Sequence, residues 1–374
     1  KRRPEKDGMV GRFRSARHLG LAVCGNHPTI AEIGRQKINF LGEGFIPTRH
    51  ITSVREDRLA RKIPELDLRE WHDPTRRTDF VTKMGEALED IGFFALNNHD
   101  IDLQLIESAY DNASDFFSRP EAEKLGHERL EIQRQRGFVP FGVEHAKGNL
   151  APDLKEFWQS GRTLPSDHPK ADEFPTNTWP DEMQPEFQTT IDGLYREMEK
   201  LSHELLCAAS LYLGKPEKWL SDMAEDGNTI LRVIHYPPIS SDAPPGAIRS
   251  AQHEDINFIT LLVGSTADGL EVMDHDGSWI KVEGNHHHII VDSGDMLQSL
   301  TNGLFKSTTH RVINPDDDTS DRFSMPLFVH PHNDIDLTPR PEFIAITGGE
   351  AMYPSITAGE YLHQRLEEIG LTSN

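Results

Sequence analysis

The spacing of hydrophobic positions along this 374-residue chain changes near residue 229. Upstream, apolar residues recur mostly at helical intervals; downstream, they fall in short runs broken by Pro, Gly and Asp. Phe80, Met84, Ala87 and Leu88 predict an amphipathic helix over 78–92. Gly92-Phe93-Phe94-Ala95-Leu96 reads as an apolar strand, ended by the polar Asn97-Asn98-His99-Asp100. A second helix is expected over 103–118, stopping before Pro120, and a long one over 183–213, ended by Gly214 and Pro216. Ile63–Leu68 predicts a short first strand, and 132–162 reads as irregular because Gly137, Pro140, Gly142 and Gly148 interrupt it.

Past the change the elements are strands. Thr229–Tyr236 is stopped by Pro237-Pro238, and Phe258–Val263, Leu270–Met273 and Ser278–Val282 follow, with Asp276-Gly277 as a hairpin turn. His288–Val291, turned by Ser293-Gly294-Asp295, then Phe305–Ile313 and Arg322–Val329 complete the series, and 357–369 predicts a closing helix. So many short strands in about 100 residues predict a mainly β fold with flanking helices, its core an antiparallel jelly roll around a cofactor pocket. Four parts are expected: an N-terminal extension (1–62), a helix-rich region (63–228), the jelly-roll core (229–334) and a C-terminal segment with the closing helix (335–374).

Charge refines this picture. The net charge of -22 is uneven: residues 1–62 carry 14 Lys/Arg against 6 Asp/Glu, and the remainder 25 against 55. A basic extension thus precedes an acidic body, and an acidic body disfavours nucleic acid and anionic membranes. A small-molecule substrate is the expected partner. No stretch approaches the roughly 18 apolar residues of a membrane span. Cys24 and Cys207 lack Cys-x-x-Cys spacing and are too few for a disulfide framework, which predicts a reducing, cytoplasmic setting.

Candidate chemistry centres on Gln252-His253-Glu254-Asp255. On a β-strand, His253 and Asp255 leave the same face, and Glu254 the other. His310, 55 residues beyond Asp255, supplies a third donor from a strand that could lie opposite. Two imidazoles and one carboxylate leave coordination positions open, the facial arrangement of non-haem Fe(II) oxygenases; zinc hydrolases use the same donors. Arg322-x-Ser324 repeats the i, i+2 geometry and forms a candidate carboxylate clamp, since a buried guanidinium stays charged and donates through two prongs.

Residues 64–370 resemble the isopenicillin N synthase-like family of Fe(II)- and 2-oxoglutarate-dependent dioxygenases. The matching pieces are Gly92-Phe93-Phe94 with Asn98-His99-Asp100, His235-Tyr236-Pro237-Pro238, His253-x-Asp255, Gly294-Asp295, Asn302-Gly303, His310-Arg311-Val312 and Arg322-x-Ser324, in order. The resemblance implies a double-stranded β-helix with His253, Asp255 and His310 on iron. It implies that Arg322 and Ser324 grip the distal carboxylate of 2-oxoglutarate, that Tyr236 also reaches this co-substrate, and that O2 is consumed as substrate is hydroxylated with release of succinate and CO2. Ascorbate is a candidate reductant. Ile234 departs from the pattern, which often has Asn there, and residues 1–62 match nothing in the family.

Three rivals follow: a same-fold iron oxidase in which the Arg-x-Ser pair holds substrate, a non-catalytic small-molecule binding protein, and a zinc hydrolase. Other histidines are expected to be bystanders. His286-His287-His288 spans a turn that scatters the rings, and His275 sits in a solvated turn. His235 points away from Tyr236, and His330 and His332 could line a pocket rim. Phe138, Phe157 and Trp158 would cover the barrel mouth or simply pack.

Overall fold

A computed structural model describes residues 61–144, 152–239, 243–244, 246–283, 287–315 and 319–368. The basic extension, except its last two residues, and His286 therefore lie outside the described residues.

In chain order the strands are β1 (Glu65–Asp67), β2 (Phe93–Asn97), β3 (Gly137–Val139), β4 (Glu156–Gly161), β5 (Ile230–Tyr236) and β6 (Ser250–His253). They continue with β7 (Ile259–Val263), β8 (Leu270–Met273), β9 (Trp279–Lys281), β10 (Ile289–Ser293), β11 (His310–Val312) and β12 (Arg322–Val329). The larger sheet runs β1-β2-β10-β7-β12-β5-β4-β3 and the smaller β6-β11-β8-β9. Every pairing is antiparallel except β1 with β2. The two sheets bury Phe93, Ala95 and Ile290 of the larger against Leu270, Val272 and Ile280 of the smaller. This is the expected jelly roll with flanking helices.

The larger sheet is covered on both sides, apolar on its outer face and mixed on its inner one, where Thr260, Asp292, Arg322 and Ser324 are buried. Its outer face, carrying Leu231, Val233, Leu261, Val263, Met325 and Leu327, packs on helices. The main support is the 28-residue helix Pro185–Tyr212, which starts with Pro at its first turn and buries Phe187, Ile191, Leu194, Met198, Leu201 and Leu205. Each such side chain contributes about 1.5–3 kcal/mol on burial. The other predicted helices form at Arg77–Asp90, Leu103–Phe117 and Ala358–Glu368.

Several expectations need correction. Segment 132–162 is not irregular throughout: β3 and β4 extend the larger sheet by pairing through Phe138 with Trp158. Phe138 and Trp158 pack outward with Phe116 and Phe187, while Phe157 and Val139 join Ile234 and Tyr236 on the inner face. Four strands thus come from the region before residue 229. The run 305–313 is strand only at His310–Val312, and Gly294-Asp295 opens a short helix, Asp295–Leu300. Among the described residues no helix is long and apolar enough to cross a membrane.

Candidate active site

His253 is the last residue of β6, and His310, first of β11, stands directly opposite it in register. The expectation of one strand carrying both His253 and Asp255 is not met. Asp255 lies in the loop after β6, where the chain turns toward β7. The carboxylate nevertheless reaches both rings: Asp255 Oδ1 is 3.7 Å from His253 Nε2 and 3.8 Å from His310 Nε2. One donor atom from each of the three lies within 4.8 Å of the others, and among the described residues there is no further group of this kind.

The far side of each donor is tied down. His253 Nδ1 donates to the Ala251 carbonyl oxygen at 2.7 Å, and His310 Nδ1 to that of Thr308 at 3.1 Å. A carbonyl only accepts, so both Nδ1 atoms carry the proton and both Nε2 lone pairs point at the shared space. Thr260 Oγ1 donates to Asp255 Oδ2, which turns Oδ1 toward the rings. The Asp255 carbonyl oxygen takes the Asp295 amide at 2.7 Å, pinning the loop on the short helix. His310 also packs its ring edge against Phe93, with centroids 5.3 Å apart.

Burial and, secondarily, His253 hold the His310 imidazole down at about 4, so it is a neutral donor at ordinary pH. Asp292, one strand away on β10, is buried near Asp255, and both effects raise its carboxyl well above the usual range. Two imidazoles and a carboxylate suit a divalent first-row metal without demanding the closed tetrahedral shell of a structural zinc.

Arg322 opens β12 and is 1% exposed. Its Nε donates to the Ala267 carbonyl oxygen at 3.2 Å, while Nη1 and Nη2 are buried with no partner among the described residues. A guanidinium stripped of water with its fork empty fits a carboxylate-bearing ligand. Tyr236 stands opposite it in register, with its ring 5.0 Å from the guanidinium carbon. Ser324 is buried on the same face, opposite Ile234. Ile234 itself belongs to the apolar group of Val139, Phe157, Tyr236 and Val312, so this position offers the co-substrate no polar contact. His235 faces the other way, between Glu156 at 2.8 Å and Asp321 at 3.1 Å and stacked on Phe323.

His253 and Asp255 open onto a cavity of about 530 Å³. Charged residues that the sequence reading passed over line its wall. Lys155 bonds Glu144 at 2.8 Å and Asp153 at 2.9 Å, and Arg232 bonds Glu144 at 3.0 Å and the Gln159 side-chain oxygen at 2.8 Å. The Arg232 guanidinium lies over the rings of Phe157 and Phe328, 4.6 and 5.4 Å from their centroids. Arg232 shares one face of β5 with Ile230 and Ile234, opposite to Leu231 and Val233; that period-two placement was the available signal. The closing helix adds Leu362 and Arg365 to the wall, latched by Tyr361 on Asp295 at 2.9 Å.

Two family models match the chain: residues 63–182 match the N-terminal region of non-haem dioxygenases of the type found in morphine synthesis, and residues 227–331 the 2OG-Fe(II) oxygenase superfamily. The 2-oxoglutarate-dependent dioxygenase citB of Monascus ruber is 34% identical over 265 residues, covering 68% of this chain and 79% of the relative. A solved 2OG-Fe(II) oxygenase family protein from Caulobacter crescentus is 36% identical, with a TM-score of 0.73 over 82% of this chain and 99% of its own. A full-length Neurospora crassa protein, solved in complex with alpha-KG, is 28% identical with a TM-score of 0.72 over 82% of this chain and 95% of its own. With the fold, the donor set and the empty guanidinium fork in agreement, the chain belongs to the 2OG-Fe(II) oxygenase superfamily and is an oxygenase that uses Fe(II) and 2-oxoglutarate.

Proposed function

We propose that this enzyme hydroxylates a C–H bond of a small molecule bound in the cavity beside His253 and Asp255. In this reading His253, Asp255 and His310 hold the Fe(II). Arg322 and Ser324 receive the distal carboxylate of 2-oxoglutarate, and Tyr236 flanks it. The overall balance is substrate, O2 and 2-oxoglutarate giving alcohol, succinate and CO2. O2 is the oxidant, and 2-oxoglutarate supplies two of the four electrons that reduce it through loss of CO2; Fe(II), when bound, would bring the two together, and the chain supplies position and exclusion of water.

The observation that carries the assignment is the pair of Nε2 atoms directed at Asp255 Oδ1 while both Nδ1 atoms are spent on carbonyl oxygens. The empty fork of Arg322 supports the co-substrate role. Phe93 against His310 and the rings of Phe157 and Phe328 beside Arg232 give the inner face apolar walls that limit water around the reacting centre.

The test is succinate release by protein reconstituted with Fe(II), ascorbate, O2 and 2-oxoglutarate over a panel of small acids, amino acids and aromatic metabolites. Succinate formed in step with a product heavier by the mass of one oxygen atom supports the reading. Substrate oxidation without succinate would overturn it in favour of an oxidase whose Arg322 holds the substrate.

A further inference from the structure

Among the described residues, His330 lines the cavity but takes no part in the proposed iron site. It follows β12 directly, on the face that carries Arg322, Ser324 and Phe328. Its Nδ1 lies 3.2 Å from the carbonyl oxygen of Phe328. That oxygen can only accept, so Nδ1 bears the proton and Nε2 keeps a bare lone pair. Nε2 has no hydrogen-bond partner among the described residues, yet it is not sealed off from the cavity as the orphaned arginine nitrogens are. Burial holds the ring down at about 4, so it remains neutral at ordinary pH.

The charges around it limit what the cavity can welcome. Lys155 and Arg232 are matched by Glu144 and Asp153, two cations against two anions. Arginines at the rim are likewise paired, at 2.7 Å with Glu128 and 3.5 Å with Asp295. Arg136 is 1% exposed, with its guanidinium pressed on the backbone of Gly161, and presents no charge to the cavity. Glu254, also on the wall, accepts a hydrogen bond from the Thr309 hydroxyl and has no cation beside it among the described residues. A substrate carboxylate would therefore shed water here without finding an unmatched cation. A bare imidazole nitrogen rewards a different group: an O–H or N–H donor.

We propose that His330 is a specificity-determining residue whose Nε2 accepts a hydrogen bond from a hydroxyl or N–H group of a substrate that carries no carboxylate. The inference rests on the oxygenase reading above and names the substrate class of that same site. Rejection of analogues lacking the donor follows, because the buried acceptor would be left unpaired.

The experiment uses the full chain with Fe(II) and 2-oxoglutarate and three matched probe sets: phenols and lactams, their O-methyl or N-methyl derivatives, and the corresponding carboxylates. Stimulated succinate release gives kcat/KM for each. Neutral donor-bearing probes should stimulate, and their methylated and carboxylate partners should be poorer by about tenfold or more. In His330→Phe the discrimination should collapse toward unity, mainly through a raised KM. His330→Gln, which keeps an acceptor oxygen, should retain part of it and serves if the Phe variant fails to fold. Preference for carboxylates or methylated probes, stimulation by no neutral probe, or full discrimination in His330→Phe would each overturn the inference. Substrate-free wild-type protein separates the two levels. Slow succinate release without discrimination removes only the His330 role, whereas no succinate at all removes the oxygenase reading beneath it.

Discussion

Replacing Arg322 with Met should abolish stabilisation of the protein by 2-oxoglutarate while leaving the ligand-free chain near its original stability. The guanidinium is 1% exposed, donates through Nε to Ala267, and holds Nη1 and Nη2 without partners. Loss of the Nε bond costs about 1 kcal/mol. Removal of a desolvated, unpaired cation offsets that loss, and Met preserves most of the packing volume. The net change without ligand should therefore stay within about 2 kcal/mol. With 2-oxoglutarate the balance differs. Two charge-assisted bonds at about 1.5–3 kcal/mol each disappear, so affinity should fall by about a hundredfold or more. At a ligand concentration of about 100 times Kd the wild type gains about 2.7 kcal/mol, and the variant at that concentration almost nothing. Urea unfolding under anaerobic conditions with Fe(II), with and without 2-oxoglutarate, reads both quantities. A full ligand-induced gain in Arg322→Met would refute the clamp. A loss above about 4 kcal/mol without ligand would show that the guanidinium is paired in the folded chain, contrary to the geometry.

Further expectations are narrower. Thr260→Val removes the hydroxyl that orients Asp255 Oδ2 and should weaken Fe(II) binding by about 10–100-fold, measured by competition with a chelator. Gly294→Ala would place a Cβ 2.8 Å from the Asp255 carbonyl oxygen and closer still to that of Asn257, so iron content should drop even in protein that folds. His330 is held down at about 4 in the folded state and rises to its ordinary value on unfolding, so the unfolded chain takes up the proton first. The stabilising part of the neutral ring is complete above pH about 6.5 and is lost as pH falls toward 4. The stability advantage of wild type over His330→Phe should accordingly shrink by about 1.4 kcal/mol per pH unit across that window, and urea titrations that find it constant would contradict the burial argument.

His253, Asp255 and His310, which the structure gathers into one donor group, and Arg322 with Ser324, buried together on β12, were picked out in the sequence by identity, order and spacing. Their supports were not. Spacing alone suggested one strand for His253 and Asp255, yet the chain leaves β6 at His253 and the Asp255 carbonyl oxygen is held by the amide of Asp295, 40 positions away. Contacts at that separation have no local pattern. The glycines and Pro140 in 132–162 masked β3 and β4, because apolar side chains buried on both faces of a sheet lose the period-two signal. Arg232 and Lys155 carried no chemical signature that singled them out in the sequence; only the fold sets both against Glu144 on the cavity wall. His330 was read as a rim residue; its acceptor role depends on the carbonyl of Phe328, which no sequence pattern announces.

That His253, Asp255 and His310 hold the iron on which catalysis depends is tested most directly by metal counting. Wild type and Asp255→Ala are reconstituted anaerobically with Fe(II), desalted and assayed for iron per chain and for succinate formed from 2-oxoglutarate. Wild type should retain about one iron per chain and form succinate, while Asp255→Ala, which deletes the only carboxylate of the set, should lose most of both. An Asp255→Ala protein with undiminished iron and succinate would contradict the assignment.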